Sequence, residues 1–191
     1  MTKIGVIAGS VRKGSFNKML AKLAVARLEA HGAVVTEVDL GALELPIYAA
    51  ELEADNFPPD ALRLKQILSE QDGLLVVSPE YNGSIPPLLK NAIDWASRPT
   101  GDEGMIALTA YRGKAAAIMS ASLSPFGGMR GLMHLRQILT TVQMTVIPDQ
   151  VVIPAAHAAY ESDGQLKDEL PVTLVDITAA RLIKVAAALA G

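Results

Sequence analysis

Cysteine is absent from this 191-residue chain, which excludes disulfide staples, thiolate catalysis and zinc–thiolate sites. A strong charge imbalance is missing as well. The 17 Lys and Arg residues stand against 20 Asp and Glu, a net charge of −3 with the signs mixed. Nothing there builds a surface for a polyanion, so nucleic acid is not an expected partner. No apolar run approaches the ~18 residues needed to cross a bilayer. The opening Met1-Thr-Lys-Ile-Gly-Val-Ile-Ala8 is too soon interrupted for a signal peptide. A soluble, cytoplasmic protein without membrane partners is expected. Histidine is scarce too. His31, His134 and His157 fall on a helix end, a helix and a late loop, with no matching carboxylate cluster, so no metal site and no catalytic histidine are expected. Asp94 and Asp149 read as solvent or loop residues rather than general bases.

What is present is apolar and periodic. Half of the residues are hydrophobic, enough to bury a full core, and residues 1–191 read as one domain. Short apolar runs at 3–8, 73–77 and 113–121 have the continuous character of strands buried on both faces. Residues 33–40 alternate enough for a strand nearer an edge, and 144–153 supply a fifth, interrupted at Pro148. Helical spacing follows each strand. The first helix carries Phe16, Leu20, Leu23, Ala24 and Leu28 behind an N-cap at Ser15, and stops at Gly32. Further helices are expected over 61–71, after Ser84, over 129–141 and over 169–189. Ser84 is taken as the cap of its helix, with Pro86 and Pro87 in the first turn. Residues 41–58 show no period, and 97–104 are polar and rich in turn formers.

Strands alternating with helices predict an α/β fold. The expected form is a flavodoxin-like three-layer α/β/α sandwich on a five-stranded parallel sheet of order 2-1-3-4-5. That order sets the carboxyl ends of strands 1 and 3 beside the switch point, where open α/β sheets take ligands.

Three strand exits carry the chemistry. The first, residues 9 to 17, suits a phosphate. Gly9 and Gly14 let the backbone approach, and successive N–H groups at a helix start form an anion nest. Ser10, Ser15 and Asn17 add short polar side chains, and Arg12 adds a planar charged donor. The stretch lacks the Lys-Ser/Thr ending of a triphosphate loop and the Gly-x-Gly-x-x-Gly spacing of a dinucleotide fold, which favours a monophosphate. The second exit, Pro79, Glu80, Tyr81, Asn82 and Gly83, offers backbone amides, an aromatic ring and an amide to a planar heterocycle. Tyr81 would stack on or flank such a ring. Glu80 reads as a binder of loop backbone rather than a proton handler. The third exit, residues 120 to 128, lies beside the second and offers Ser120, Ser122, Ser124, Gly127 and Gly128. Arg130 is either a ligand contact or a solvated helix residue. Met129, Met133 and Met144 are core filler or an apolar patch for a second subunit.

The motifs Gly9-Ser10-x-Arg12-x-x-Ser15-x-Asn17, Pro79-Glu80-Tyr81-Asn82-Gly83-Ser84, Leu89-Lys90-Asn91-Ala92-Ile93-Asp94-Trp95 and the 120–128 loop resemble those of the NAD(P)H-dependent FMN reductases. That family includes quinone, azo-dye and chromate reductases. The likeness covers nearly the whole chain in order and spacing. It implies non-covalent FMN, with Ser10, Arg12, Ser15 and Asn17 at the phosphate and Phe16 in the same turn. It also implies that Pro79 to Gly83 edge the isoalloxazine, and that Ser120, Ser122, Gly127 and Gly128 close the other side. NAD(P)H is the implied co-substrate, and a small oxidised molecule the implied acceptor. The expected activity is ping-pong hydride transfer through the flavin N5 with no side chain needed as acid or base. A homodimer or homotetramer is implied, meeting through the helices after residues 84 and 128. The alternatives are a flavodoxin-type electron carrier or a flavin-binding protein without turnover. Such carriers tend to be strongly acidic with two aromatics at the ring, whereas aromatics here are 4% and Tyr81 is the one obvious at that turn.

Overall fold

The computed structural model describes all 191 residues. Its sheet is parallel throughout, in the order β2-β1-β3-β4-β5. The strands are β1 (Lys3–Ala8), β2 (Val34–Val38), β3 (Gly73–Val77), β4 (Ala115–Ala121) and β5 (Thr145–Ile153). The principal helices are α1 (Phe16–Ala30), α3 (Pro59–Ser69), α4 (Pro87–Ala96), α5 (Met129–Thr141) and α7 (Glu169–Ala190). Two short ones, α2 (Ala50–Asp55) and α6 (Ala156–Ala159), lie in connections.

The apolar runs divide between two cores because successive strand residues face opposite sides of the sheet. Leu75 and Val77 join Ile4, Val6 and Met119 under α1 and α7. Their neighbours Leu74 and Val76 join Ile7 and Ile118 under α3, α4 and α5. All of β3 and β4 is buried, and each large side chain so placed contributes roughly 1.5–3 kcal/mol. Pro148 falls where the β4–β5 register slips between Ala116 and Ile118. A proline cannot donate to the ladder, so a bulge there is the physical outcome.

Two local expectations need correction. Ser84 does not cap α4; the helix begins at Pro87, behind Pro86 at ψ 147. A residue preceding proline is pushed out of the helical region, so two successive prolines delay the helix. Ser84 instead closes a turn, exchanging backbone hydrogen bonds with Tyr81 at 2.8 and 3.0 Å. α3 starts two residues earlier than its apolar spacing suggests, because Pro59 suits the first helical position. The 41–58 stretch is ordered around Trp95. The Trp95 Nε1 and Asn91 Nδ2 groups both donate to the Pro46 carbonyl, at 2.7 and 2.9 Å, and Tyr48 N donates to Asn91 Oδ1 at 2.9 Å. Tyr48 and Phe57 meet the Trp95 ring edge-on.

The 98–112 segment is tied down by Glu103, which accepts from Lys65 Nζ, Thr100 N and Thr109 Oγ1. Burial pushes the Glu103 carboxyl up, but Lys65, Thr109 and the Thr100 amide outweigh it and hold it near about 2, against an ordinary 4.5. A carboxyl depressed on folding stabilises the protein fully above its ordinary value and loses that contribution as pH falls towards the folded one. Wild-type protein is therefore expected to exceed Glu103→Gln by roughly 2–3 kcal/mol near pH 6. In urea unfolding the gap should narrow steadily from pH 5 to pH 2; a constant gap would contradict this role.

Candidate functional site

The exits of β1, β3 and β4 meet at the carboxyl edge of the sheet, where backbone bonds draw them together. Gly9 N donates to Val77 O at 2.8 Å, and Ser78 N to Met119 O at 2.9 Å. The deepest tie is Asn17. Its Nδ2 donates to Ala121 O at 2.7 Å while its Oδ1 accepts from Ala121 N at 2.9 Å, across 104 positions of sequence. The three exits enclose a cleft of about 690 Å³.

One wall is the first exit, with Ser10, Arg12, Ser15, Phe16 and Asn17 all lining the cleft. Ser15 caps α1, its Oγ accepting from Lys18 N at 3.4 Å. The amide N–H groups of residues 10 to 17 make no hydrogen bond to a protein acceptor. Uncommitted donors at a helix start attract an anion. The Arg12 guanidinium lies 5.9 Å from the Phe16 ring centre, and Phe16 is stacked at 5.5 Å on Tyr160, whose hydroxyl donates to Phe16 O. Tyr160 lies far along the chain, and nothing local in the sequence marks it as a support for this wall.

The second exit forms the opposite wall, with Pro79 to Gly83 all in the lining. Asn82 at φ 51 and Gly83 at φ 79 make the double positive-φ turn that Asn-Gly favours. Their own N–H groups take no part in the turn's hydrogen bonds. Tyr81 is half exposed at the rim. Glu80 is turned away from the cleft centre onto α5. Its Oε2 accepts from Gly131 N at 3.0 Å, and its Oε1 from Arg130 Nε and Nη2 at 2.9 and 2.5 Å. Burial alone would raise its carboxyl, but the Gly131 amide and the Arg130 guanidinium together hold it below the ordinary value. Glu80 is thus tied to α5 rather than to the backbone of its own loop. Arg130 both lines the cleft and lies over the Phe126 ring at 5.4 Å.

The third exit divides. Ser122, Ser124, Leu123 and Ala121 reach the cleft, but Ser120, Gly127 and Gly128 do not. Ser120 is wholly buried in β4, and its Oγ has no partner. Gly127 packs against the end of β5, and Gly128, at φ 89, against Ser120. Alternation along a buried strand explains the split, since Ser120 and Ala121 face opposite ways. Ala121 and Leu123 escaped the sequence reading because neither carries a polar atom.

The other singled-out residues lie elsewhere. His31 pairs with Asp176, His134 Nδ1 meets Ser84 Oγ, Asp94 pairs with Lys90, and Asp149 with Arg181. Met144 is core, whereas Met129 and Met133 are exposed. No group of three or more His, Asp or Glu residues could hold a metal ion, and no helix is long and apolar enough to cross a membrane.

The chain is also similar to proteins already known. Residues 2–158 match the family model described as NADPH-dependent FMN reductase. The chain is 36% identical over 168 residues to a 2-hydroxy-1,4-benzoquinone reductase of a Burkholderia species, covering 87% of this chain and 86% of that one. It is equally 36% identical over 168 residues to an NAD(P)H-dependent FMN reductase of Pseudomonas aeruginosa, covering 87% and 85%. Among solved structures, FerB, a flavoenzyme NAD(P)H:(acceptor) oxidoreductase from Paracoccus denitrificans, superposes with a TM-score of 0.83 at 30% identity over 98% of both chains.

Proposed function

This chain belongs to the NADPH-dependent FMN reductase family, and from that premise we propose that it reduces quinone-type acceptors with NAD(P)H in a ping-pong cycle at the cleft between its three strand exits. The observation that carries the reading is the row of uncommitted amide N–H groups from residue 10 to residue 17, with Arg12 beside them.

The residues present fit FMN. One end of the cleft is rich in donors, with serine hydroxyls, a guanidinium and a helix start, as a phosphate requires. The only carboxylate in the lining, Glu80, is already held by Gly131 and Arg130, so it offers no bare negative charge to repel one. When bound, FMN supplies the redox chemistry, accepting a hydride equivalent from NAD(P)H and returning electrons to the acceptor. Ser10, Arg12 and Ser15 bind the phosphate. Asn17 holds the first wall to the third through Ala121, which fixes the width of the cleft. The Asn82 and Gly83 amides face the ring's polar edge, and Tyr81 flanks it at the rim. Ser122, Leu123 and Ser124 close the far side. No side chain is assigned a proton. A second copy of the chain, seated across α4 and α5, would cover the exposed Met129 and Met133 and border the open face.

Arg12→Ala removes a charge-assisted hydrogen bond of about 1.5–3 kcal/mol, so FMN affinity should fall roughly 10- to 100-fold. Fluorescence titration of flavin-free protein measures this directly, and unchanged affinity would place Arg12 outside the phosphate site.

Steady-state oxidation of NADPH with 1,4-benzoquinone tests the activity. Parallel double-reciprocal lines at varied quinone are expected. Intersecting lines would overturn the ping-pong cycle. An absence of NADPH oxidation with any quinone, dye or free flavin would overturn turnover itself.

A further inference from the structure

Apart from the flavin cleft, a second hollow of about 450 Å³ opens between α1 and the hairpin closed by the Tyr160–Leu166 bridge. Met19 and Leu23 of α1, with Tyr160 and Leu166 of the hairpin, give it apolar walls. Two cations on α1, Lys22 and Arg27, also line it, and neither lies within ion-pair distance of any carboxylate. Arg27 is partly buried, and its guanidinium makes no hydrogen bond. Its Nε is sealed from solvent with no acceptor. That sealed Nε lies out of reach of a molecule in the hollow, so the outer guanidinium nitrogens are the donors left to meet one. The one carboxylate of the hollow, Asp163, is folded back onto Gln165, accepting from its N and its Nε2 at 3.0 Å each.

Unpaired cations against apolar walls describe a ligand with an anionic head and an apolar body. The planar guanidinium fork matches a carboxylate, and the size of the hollow suits a small organic molecule. We propose that this hollow binds a small aromatic carboxylate, its head on Arg27 and Lys22 and its ring against Met19, Leu23 and Tyr160. The site does not depend on the flavin reading. It does touch the phosphate wall, because Tyr160 stacks on Phe16 and donates to its carbonyl. An occupant is therefore placed to stiffen that wall.

Calorimetric titration of FMN-loaded protein with 2-naphthoate is the test. One saturable site per chain is expected. Arg27→Gln should weaken it at least tenfold, Arg27→Lys less, and Lys22→Gln measurably in the same direction from an exposed position. The neutral isostere 2-naphthamide should bind at least tenfold more weakly than the acid. Circular dichroism and FMN content establish that each variant is folded. Binding unchanged in both Arg27→Gln and Lys22→Gln would place the ring elsewhere, on the flavin face for instance, and overturn the proposal. Equal affinity for acid and amide, or no binding at millimolar naphthoate, would also overturn it.

Discussion

Asn17→Asp is expected to strip most of the FMN from the protein and to cost it about 3 kcal/mol or more of stability. The native amide is nearly fully buried and serves Ala121 in both directions, as donor to its carbonyl and acceptor from its N–H. Aspartate keeps the acceptor but sets a carboxylate oxygen against the Ala121 carbonyl, where two acceptors repel and neither has water to turn to. The new negative charge also lies in the wall that would bind a phosphate. Since each 1.4 kcal/mol is tenfold in affinity, a 100-fold or larger loss of FMN is expected. Asn17→Ala separates the two effects. It removes both hydrogen bonds without adding charge, so it too should lose stability while its FMN affinity stays higher than that of Asn17→Asp. Equal FMN affinity in the two variants would mean that no phosphate lies near residue 17.

The second large effect is expected from Gly128→Ala. Gly128 is in the left-handed region at φ 89, and a Cβ there would stand 2.0 Å from Ser120 Oγ and 2.9 Å from Ser120 Cβ. Turning the serine hydroxyl away leaves the second clash, so the start of α5 has to move. That end of α5 carries Arg130 and Gly131, which hold Glu80 and with it the second wall of the cleft. A loss of roughly 2–4 kcal/mol is expected, together with weaker FMN binding. Ser120→Gly in the same chain should restore part of it, leaving only the backbone strain of about 1–2 kcal/mol. Gly104→Ala is the control, since a Cβ there meets nothing within 4 Å and its φ is ordinary. Equal melting of the two single variants would contradict the packing described here.

The contrast between these two residues shows where the sequence was legible. Strand and helix order could be read because β3 and β4 are buried along their whole length and leave uninterrupted apolar runs. Ser15 and the Asn82-Gly83 pair were legible because a cap and a positive-φ turn are decided within four residues. Asn17 stands in the first motif and lines the cleft, but its partner lies 104 residues away, and no local rule pairs an asparagine with a distant alanine. Gly128 was expected to face the ligand; its necessity comes instead from Ser120, a contact between a strand and the helix after it. The 41–58 stretch looked irregular for a similar reason. Its order comes from Asn91 and Trp95 on α4 rather than from any period of its own.

The central claim is that the three exits hold a flavin that NAD(P)H reduces. An absorbance spectrum of the purified protein, followed by addition of NADPH without oxygen, tests it most directly. Flavin bands that bleach promptly, and return when quinone is added, are the predicted result. Bands that stay oxidised, or no flavin uptake even after FMN is supplied, would contradict it.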